Sequence, residues 1–188
     1  MNAHPNKPAP RSRRLQPAQS APGHSPSPHE QHHRLPRESY RGQVTVAFTG
    51  CVAGQTPLFV AGDVVAVFVS LLKAAAEKHA CGVSIYCFMP DHVHLLLSGQ
   101  HEFSDAWSAL TLFKQRTGFW LGRHCPGIRW QKDFYDHIIR RTEDLGAQVR
   151  YIAGNPVRRG LVKDWREYPF TGAIGVDLNA LISSTITL

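Results

Sequence analysis

From Gln43 onward the chain alternates between the two spacings at which a buried residue recurs, every second position on a strand and every third or fourth on a helix. Residues 43–48 place Val44, Val46 and Phe48 on one face, which predicts a half-buried strand. Asp63 opens a helical stretch in which Val64, Phe68, Leu71, Leu72 and Ala75 recur at steps of three and four, ending near Cys81-Gly82. Residues 83–88 and 92–97 read as two further strands joined through Met89-Pro90-Asp91, most simply as a hairpin. Ser104 is placed to cap a helix carrying Trp107, Leu110, Phe113 and Leu121 on its apolar side. Residues 134–140 predict another strand. Thr142 then caps a helix, with Glu143 and Asp144 at its positive end, that stops at Gly154 and Pro156. The order strand, helix, strand, strand, helix, strand, helix predicts an α+β fold with helices covering an antiparallel sheet.

Composition changes this picture mainly at the N-terminus. Residues 1–38 hold eight of the thirteen prolines and five of the eleven histidines, with almost no large apolar residue before Leu35. Such a segment buries too little to offset its ordering entropy, so a disordered tail is expected ahead of one globular domain over residues 39–172. Residues 173–188 form a C-terminal extension that is apolar enough to dock, with no site indicated. Charge is uneven: residues 110–170 carry twelve Lys and Arg against six acids, whereas residues 43–109 carry two against five. A basic second half suits a polyanion such as nucleic acid, although solubility alone is the plainer account. The four cysteines form no CxxC pair, which points to a reducing, cytoplasmic setting, and no apolar run is long enough to suggest export or membrane spanning.

Chemistry concentrates in two places. In FMPDHVHLLLSG, residues 88–99, His92 and His94 share one face of the predicted strand while Val93, Leu95 and Leu97 take the other. Two adjacent imidazoles form a bidentate platform for a metal, and burying both otherwise requires partners for four ring nitrogens. On the predicted helix 142–156, Leu145, Val149 and Ile152 form an apolar stripe, and Gln148, Tyr151 and Asn155 form a polar stripe about a quarter turn away at roughly 100° per residue. Asn155, four residues after Tyr151, is either a third ligand beside a nucleophile or a C-capping residue below a rim tyrosine.

Taken together, FMPDHVHLLL, WQKDFYDHIIR, YIAGNPVRRGLV and DWREYPF resemble, in order and spacing, the REP-associated tyrosine transposases of the single-tyrosine HUH group. The resemblance covers residues 39–172. It implies a ferredoxin-like or palm-like antiparallel sheet with helices, the HUH endonuclease fold. It further implies that His92, His94 and Asn155 bind a divalent ion, Mg²⁺ or Mn²⁺, and that Tyr151 is the nucleophile. The substrate it implies is single-stranded DNA beside a small hairpin, such as a repetitive extragenic palindrome, acted on by a monomer or homodimer. Three features depart from the family pattern: Ala153-Gly154 before the Asn-Pro pair, Thr171-Gly172 after Pro-Phe, and the long proline-rich extension.

Cleavage through a tyrosine requires a cation to polarise the scissile phosphate and a phenolate in line with the departing 3′ oxygen. The 5′-phosphotyrosine so formed keeps the phosphodiester energy, so a 3′-OH can rejoin the strand without ATP. Tyr135 is the rival nucleophile but has no polar partner four residues on, and His137, on its face, is a further neighbour or a packing residue. Arg116, Lys132, Arg140, Arg141, Arg150, Arg158 and Arg159 are candidate phosphate contacts, with Trp130 and Phe134 as candidate stacking surfaces for unpaired bases. Two other readings compete: a non-catalytic hairpin-binding regulator that kept the fold, and a small metal hydrolase, which lacks acidic ligands beyond Asp91.

Overall fold

In the computed structural model, which describes residues 35–140 and 145–183, the strand segments assemble into one five-stranded antiparallel sheet of order β4-β1-β3-β2-β5. The strands are β1 (Thr45–Cys51), β2 (Cys81–Met89), β3 (His92–Gly99), β4 (Tyr135–Ile139) and β5 (Thr171–Ile174). The helices are α1 (Gly62–Lys78), α2 (Ala106–His124), α3 (Leu145–Ala153), α4 (Asn155–Arg158) and α5 (Leu178–Ser183). Strand β3 is antiparallel to both β1 and β2, so these two run the same way with β3 between them and α1 as their crossover. That split βαβ arrangement is the ferredoxin-like pattern, and the α+β expectation holds.

Each face of the sheet has its own core. Val46 and Phe48 of β1 and Val93, Leu95 and Leu97 of β3 join Phe68 and Leu72 of α1 and Leu110 and Phe113 of α2. On the opposite face Ile85, Cys87, Met89 and Leu96 pack with Val149, Ile152 and Ala153 of α3 and with Tyr168. Strand β2 supplies both cores because its register shifts between Val83 and Ile85, so Val83 faces one layer and Ile85 the other despite their two-residue spacing. Met89 pairs with His92, leaving Pro90 and Asp91 as the whole turn. The turn is tied down from outside: the Pro90 carbonyl accepts from the N–H groups of Leu58 and Phe59, and the Asp91 carbonyl from that of Val52.

Several boundaries differ from the sequence reading. Helix α1 ends at Lys78, and Ala80, with φ of 52°, turns the chain so that Cys81 opens β2 instead of closing the helix. Ser104 is not the cap of α2; Asp105 is, accepting from the Ser108 N–H at 2.8 Å. Ser104 is fully buried and its hydroxyl serves as a hub, donating to the Ala80 carbonyl and accepting from the N–H groups of Gln100 and His101. The helix expected to stop at Pro156 ends at Ala153, and Asn155 opens α4 instead. Thr142, Glu143 and Asp144 lie outside the described residues, as does the expected tail through residue 34. The last part of that expected tail is structured: Arg37–Tyr40 form a 3₁₀ turn in which Tyr40 is buried and its hydroxyl donates to Asp136 at 2.6 Å.

Trp130 and Phe134 are core aromatics, not surfaces for bases. Trp130 packs among Phe59, Phe68 and Phe113 and donates through Nε1 to Thr117, and Phe134 sits edge-on to Phe48 and Trp107. The DWREYPF segment, residues 164–170, serves to attach β5. Asp164 caps a short turn, the buried Tyr168 hydroxyl donates to the Phe88 carbonyl, and the Phe88 N–H donates to the Phe170 carbonyl. Gly172 follows from this packing, since a Cβ there would meet the Tyr86 ring.

The two polar residues ahead of α2 should differ in consequence. Ser104→Ala removes three hydrogen bonds at once, leaving the His101 N–H without its partner and the Gln100 N–H and Ala80 carbonyl with only each other, and should lower unfolding free energy by about 2–3 kcal/mol. Asp105→Ala removes a helix cap and should cost about 1 kcal/mol. Urea denaturation of both variants checks this, and equal losses would contradict the hub assignment.

Candidate active site

Strand pairing puts the rung through His94 in the order Tyr135, Thr49, His94, Cys87, Thr171, from β4 across to β5. Residues paired across strands share a face, and this is the face on which α3 packs. The next rung toward the turn joins Cys51, His92 and Met89. The two imidazoles therefore stand side by side, as the alternation predicts. Their rings are nearly perpendicular, and the two Nε2 atoms converge to 3.1 Å.

The outer nitrogens are held from behind. His92 Nδ1 lies 2.6 Å from an Asp91 carboxylate oxygen, and His94 Nδ1 lies 2.9 Å from the Thr49 hydroxyl. Because the carboxylate accepts, His92 carries its proton on Nδ1 and turns a bare Nε2 lone pair toward His94. In the free protein His94 Nε2 then donates across the 3.1 Å gap and its Nδ1 accepts from Thr49; because the Thr49 hydroxyl can also accept, the ring can change tautomer where Nε2 is needed as a ligand. Burial, then the charges of His92, Arg158 and Arg159, push the His94 pKa down to about 3, leaving a neutral ring at neutral pH. A cleft of about 220 Å³ beside the turn is lined by Asp91, His92, Arg159 and Leu161, among others.

Helix α3 brings the second half. Val149 and Ile152 are buried against the sheet, as their stripe predicts, and Tyr151 faces outward with 56% of its surface exposed. Arg158, one turn into α4, folds back over this region. Its guanidinium lies 4.3 Å above the Tyr151 ring and donates to the Tyr151 carbonyl and, at 2.7 Å, to Asn155 Oδ1. The same cation is felt by His94, which ties the tyrosine helix electrostatically to the histidine strand.

The remaining candidates divide. Arg158 and Arg159 are at the site, and Arg150 lies on α3 with its guanidinium partly buried. Arg116 lines a separate groove with Phe119, Trp120 and Arg123 on α2, which covers the other face of the sheet. Arg140 follows Ile139, whose partner is Thr45, so it sits at the far end of the sheet from His94, roughly 17 Å away at about 3.4 Å per residue. Lys132 is exposed in the loop before β4, where its carbonyl faces Lys114. Arg141 lies outside the described residues. Tyr135 and His137 are both exposed on edge strand β4, on the α3 face. Thr49 went unnoticed in the sequence because nothing local marks it; only pairing across 45 residues brings it to His94.

A divalent ion fits part of this arrangement. Two Nε2 atoms at 3.1 Å with both outer nitrogens bonded are a preformed two-point ligand set. Among the described residues no three His, Cys, Asp or Glu side chains converge, so a further protein ligand would be an amide such as Asn155.

The sheet thus sets a paired-histidine strand beside a helix-borne tyrosine, and the sequence comparisons give the class of protein as a transposase. The family model described as "Transposase IS200 like" matches residues 48–154, more than half of the chain, and the chain belongs to that family. Within it the likeness is to the REP-associated tyrosine transposases. A protein of Escherichia coli K12 with that name is 33% identical over 94 residues, covering 47% of this chain and 52% of the relative. A Haemophilus influenzae protein, provisionally given the same name, is 27% identical over 121 residues, covering 58% of this chain and 68% of the relative. Among solved structures, a REP-associated tyrosine transposase bound to a REP hairpin shares the fold with a TM-score of 0.60 at 24% identity, covering 70% of this chain and 78% of that one. No described helix is long and apolar enough to cross a membrane.

The lowered His94 pKa has a definite sign. Above 6.5, the ordinary value, the ring is neutral in both folded and unfolded chains and has no effect on stability. As pH falls from 6.5 toward about 3, the unfolded chain takes a proton that the folded protein refuses. The melting temperature of metal-free protein should therefore fall across this window, and His94→Gln should make that fall shallower. An unchanged slope in the variant would contradict the assignment.

Proposed function

We propose that this chain cuts and rejoins single-stranded DNA through Tyr151, with His92, His94 and Asn155 as ligands for Mg²⁺ or Mn²⁺. The observation that carries the reading is the convergence of the two His Nε2 atoms on the face where the helix of Tyr151 packs. Such an ion, when bound, supplies Lewis-acid polarisation of a phosphate oxygen. Two imidazoles suit Mn²⁺ at least as well as Mg²⁺, which prefers oxygen.

Each residue then has a task. Asp91 and Thr49 orient the imidazoles, and the low proton affinity of His94 keeps its lone pair available. Arg158 and Arg159 offer cations where a DNA phosphate would approach. The exposed Tyr151 hydroxyl loses its proton to solvent and its oxygen attacks phosphorus. The bond from phosphorus to the 3′ oxygen breaks, leaving a 3′-OH and a 5′-phosphotyrosine. Attack by a 3′-OH reverses the step and restores the tyrosine. Hairpin DNA of the palindromic repeat type is the proposed substrate, because the related protein of known structure holds a REP hairpin. The proposed catalytic domain takes in residues 39–172 together with the rest of β5, works as a monomer or homodimer, and acts in the bacterial cytoplasm beside the nucleoid.

Incubation with labelled hairpin DNA and Mn²⁺ should yield a covalent protein–DNA adduct with wild type and with Tyr135→Phe, and none with Tyr151→Phe. Binding without an adduct across a panel of hairpins would instead favour the non-catalytic regulator. Thr49→Val should weaken Mn²⁺ binding about tenfold by freeing the His94 ring, while the fold stays intact. Calorimetric titration measures it, and an unchanged affinity would count against the orienting role.

A further inference from the structure

Arg158 does more than add charge near the histidines. Its guanidinium donates to the oxygen of Asn155 that a metal would need, and it lies over the ring of the tyrosine that would attack. The other end of that amide, Asn155 Nδ2, is buried and has no hydrogen-bond partner among the described residues. The acceptor end is thus held by a cation while the donor end faces nothing, an arrangement suited to rotation once the cation leaves. Gly154 supplies the room for it. A Cβ at that position would lie 2.7 Å from Arg158 Nη1, so the glycine that departs from the family pattern is the space into which the arginine folds.

We propose that Arg158 is a positioning residue that clasps Asn155 in the free protein and lets it go when a DNA phosphate takes the guanidinium, a proposal resting on the metal and nucleophile reading above. A phosphate offers charged oxygens in the bidentate geometry guanidinium prefers, whereas Asn155 and the Tyr151 carbonyl offer neutral ones. Arginine and divalent ion compete for the same Oδ1. DNA and metal therefore bind cooperatively, each raising the affinity of the other by the same factor.

The test is calorimetric titration of Mn²⁺ into the full chain, without turnover. Arg158→Met should bind Mn²⁺ at least roughly fivefold more tightly than wild type, in the range of ordinary coupling between sites. Arg159→Met removes an equal charge that His94 also feels but does not touch Asn155, so its effect should be smaller. Gly154→Ala crowds the arginine out with its charge intact and should also tighten binding. In an Asn155→Ala background the gain from Arg158→Met should vanish. A short single-stranded oligonucleotide should tighten Mn²⁺ binding to wild type but not to Arg158→Met. The clasp is overturned if Arg158→Met binds no more tightly than Arg159→Met, or if its gain survives in the Asn155→Ala background. Mn²⁺ binding that is indifferent to His92→Ala would overturn the metal reading, and the clasp with it.

Discussion

Because neighbouring side chains on a strand point to opposite faces, the two-residue turn at Pro90-Asp91 decides where His92 and His94 go. A slip of one residue would bury both imidazoles among Phe68, Leu110 and Phe113 and turn Val93 and Leu95 toward α3. The turn is held against that slip by three backbone hydrogen bonds from the segment after β1. It also supplies Asp91, whose carboxylate sets the orientation of the first imidazole. Register, the placement of the two imidazoles and the hydrogen bonding of the first therefore trace to one short segment. The bulge near Ser84 performs the complementary task on β2, letting Cys87 and Met89 line the histidine face while Val83 stays with the other core.

Electrostatics then shape what this face accepts. Burial and two arginines disfavour a proton on His94, which keeps a lone pair in place at neutral pH. The same arginines would repel a free divalent ion and attract a polyanion. A cationic rim around neutral nitrogens favours an ion that arrives with, or after, a phosphate. Arg158 embodies both sides of this balance, since it bonds the amide oxygen nearest the tyrosine and remains exposed to a stronger anionic partner.

The family motifs, met as a group in the sequence, divide by task in three dimensions. The histidine strand and the tyrosine helix carry the residues proposed for chemistry. The DWREYPF segment is structural: Asp164 caps a turn, Tyr168 anchors to β2, and β5 then extends the sheet. The aromatic residues of the WQKDFYDHIIR segment divide as well, with Trp130 and Phe134 half-buried against the core and Tyr135 left on the exposed edge. Basic residues alike in sequence end up on different faces, Arg116 on one helical layer and Arg158 on the other.

Local periodicity was enough to read the α+β order from β1 to α3, though not β5 or α5, together with the shared face of His92 and His94 and the buried stripe of Val149 and Ile152, because each depends only on spacing along one element. Boundaries were less legible. Whether Ser104 or Asp105 caps α2 depends on which side chain the neighbouring Ala80 carbonyl captures, and no local pattern records that. The same holds at the site: Thr49 reaches His94 through a pairing of distant strands, and Arg158 reaches Asn155 only because the chain breaks at Gly154 and turns back. By itself the sequence determined which residues share a face. Which faces meet, and which partner each nitrogen and oxygen finds there, was decided by tertiary structure, because those contacts join elements that the chain separates.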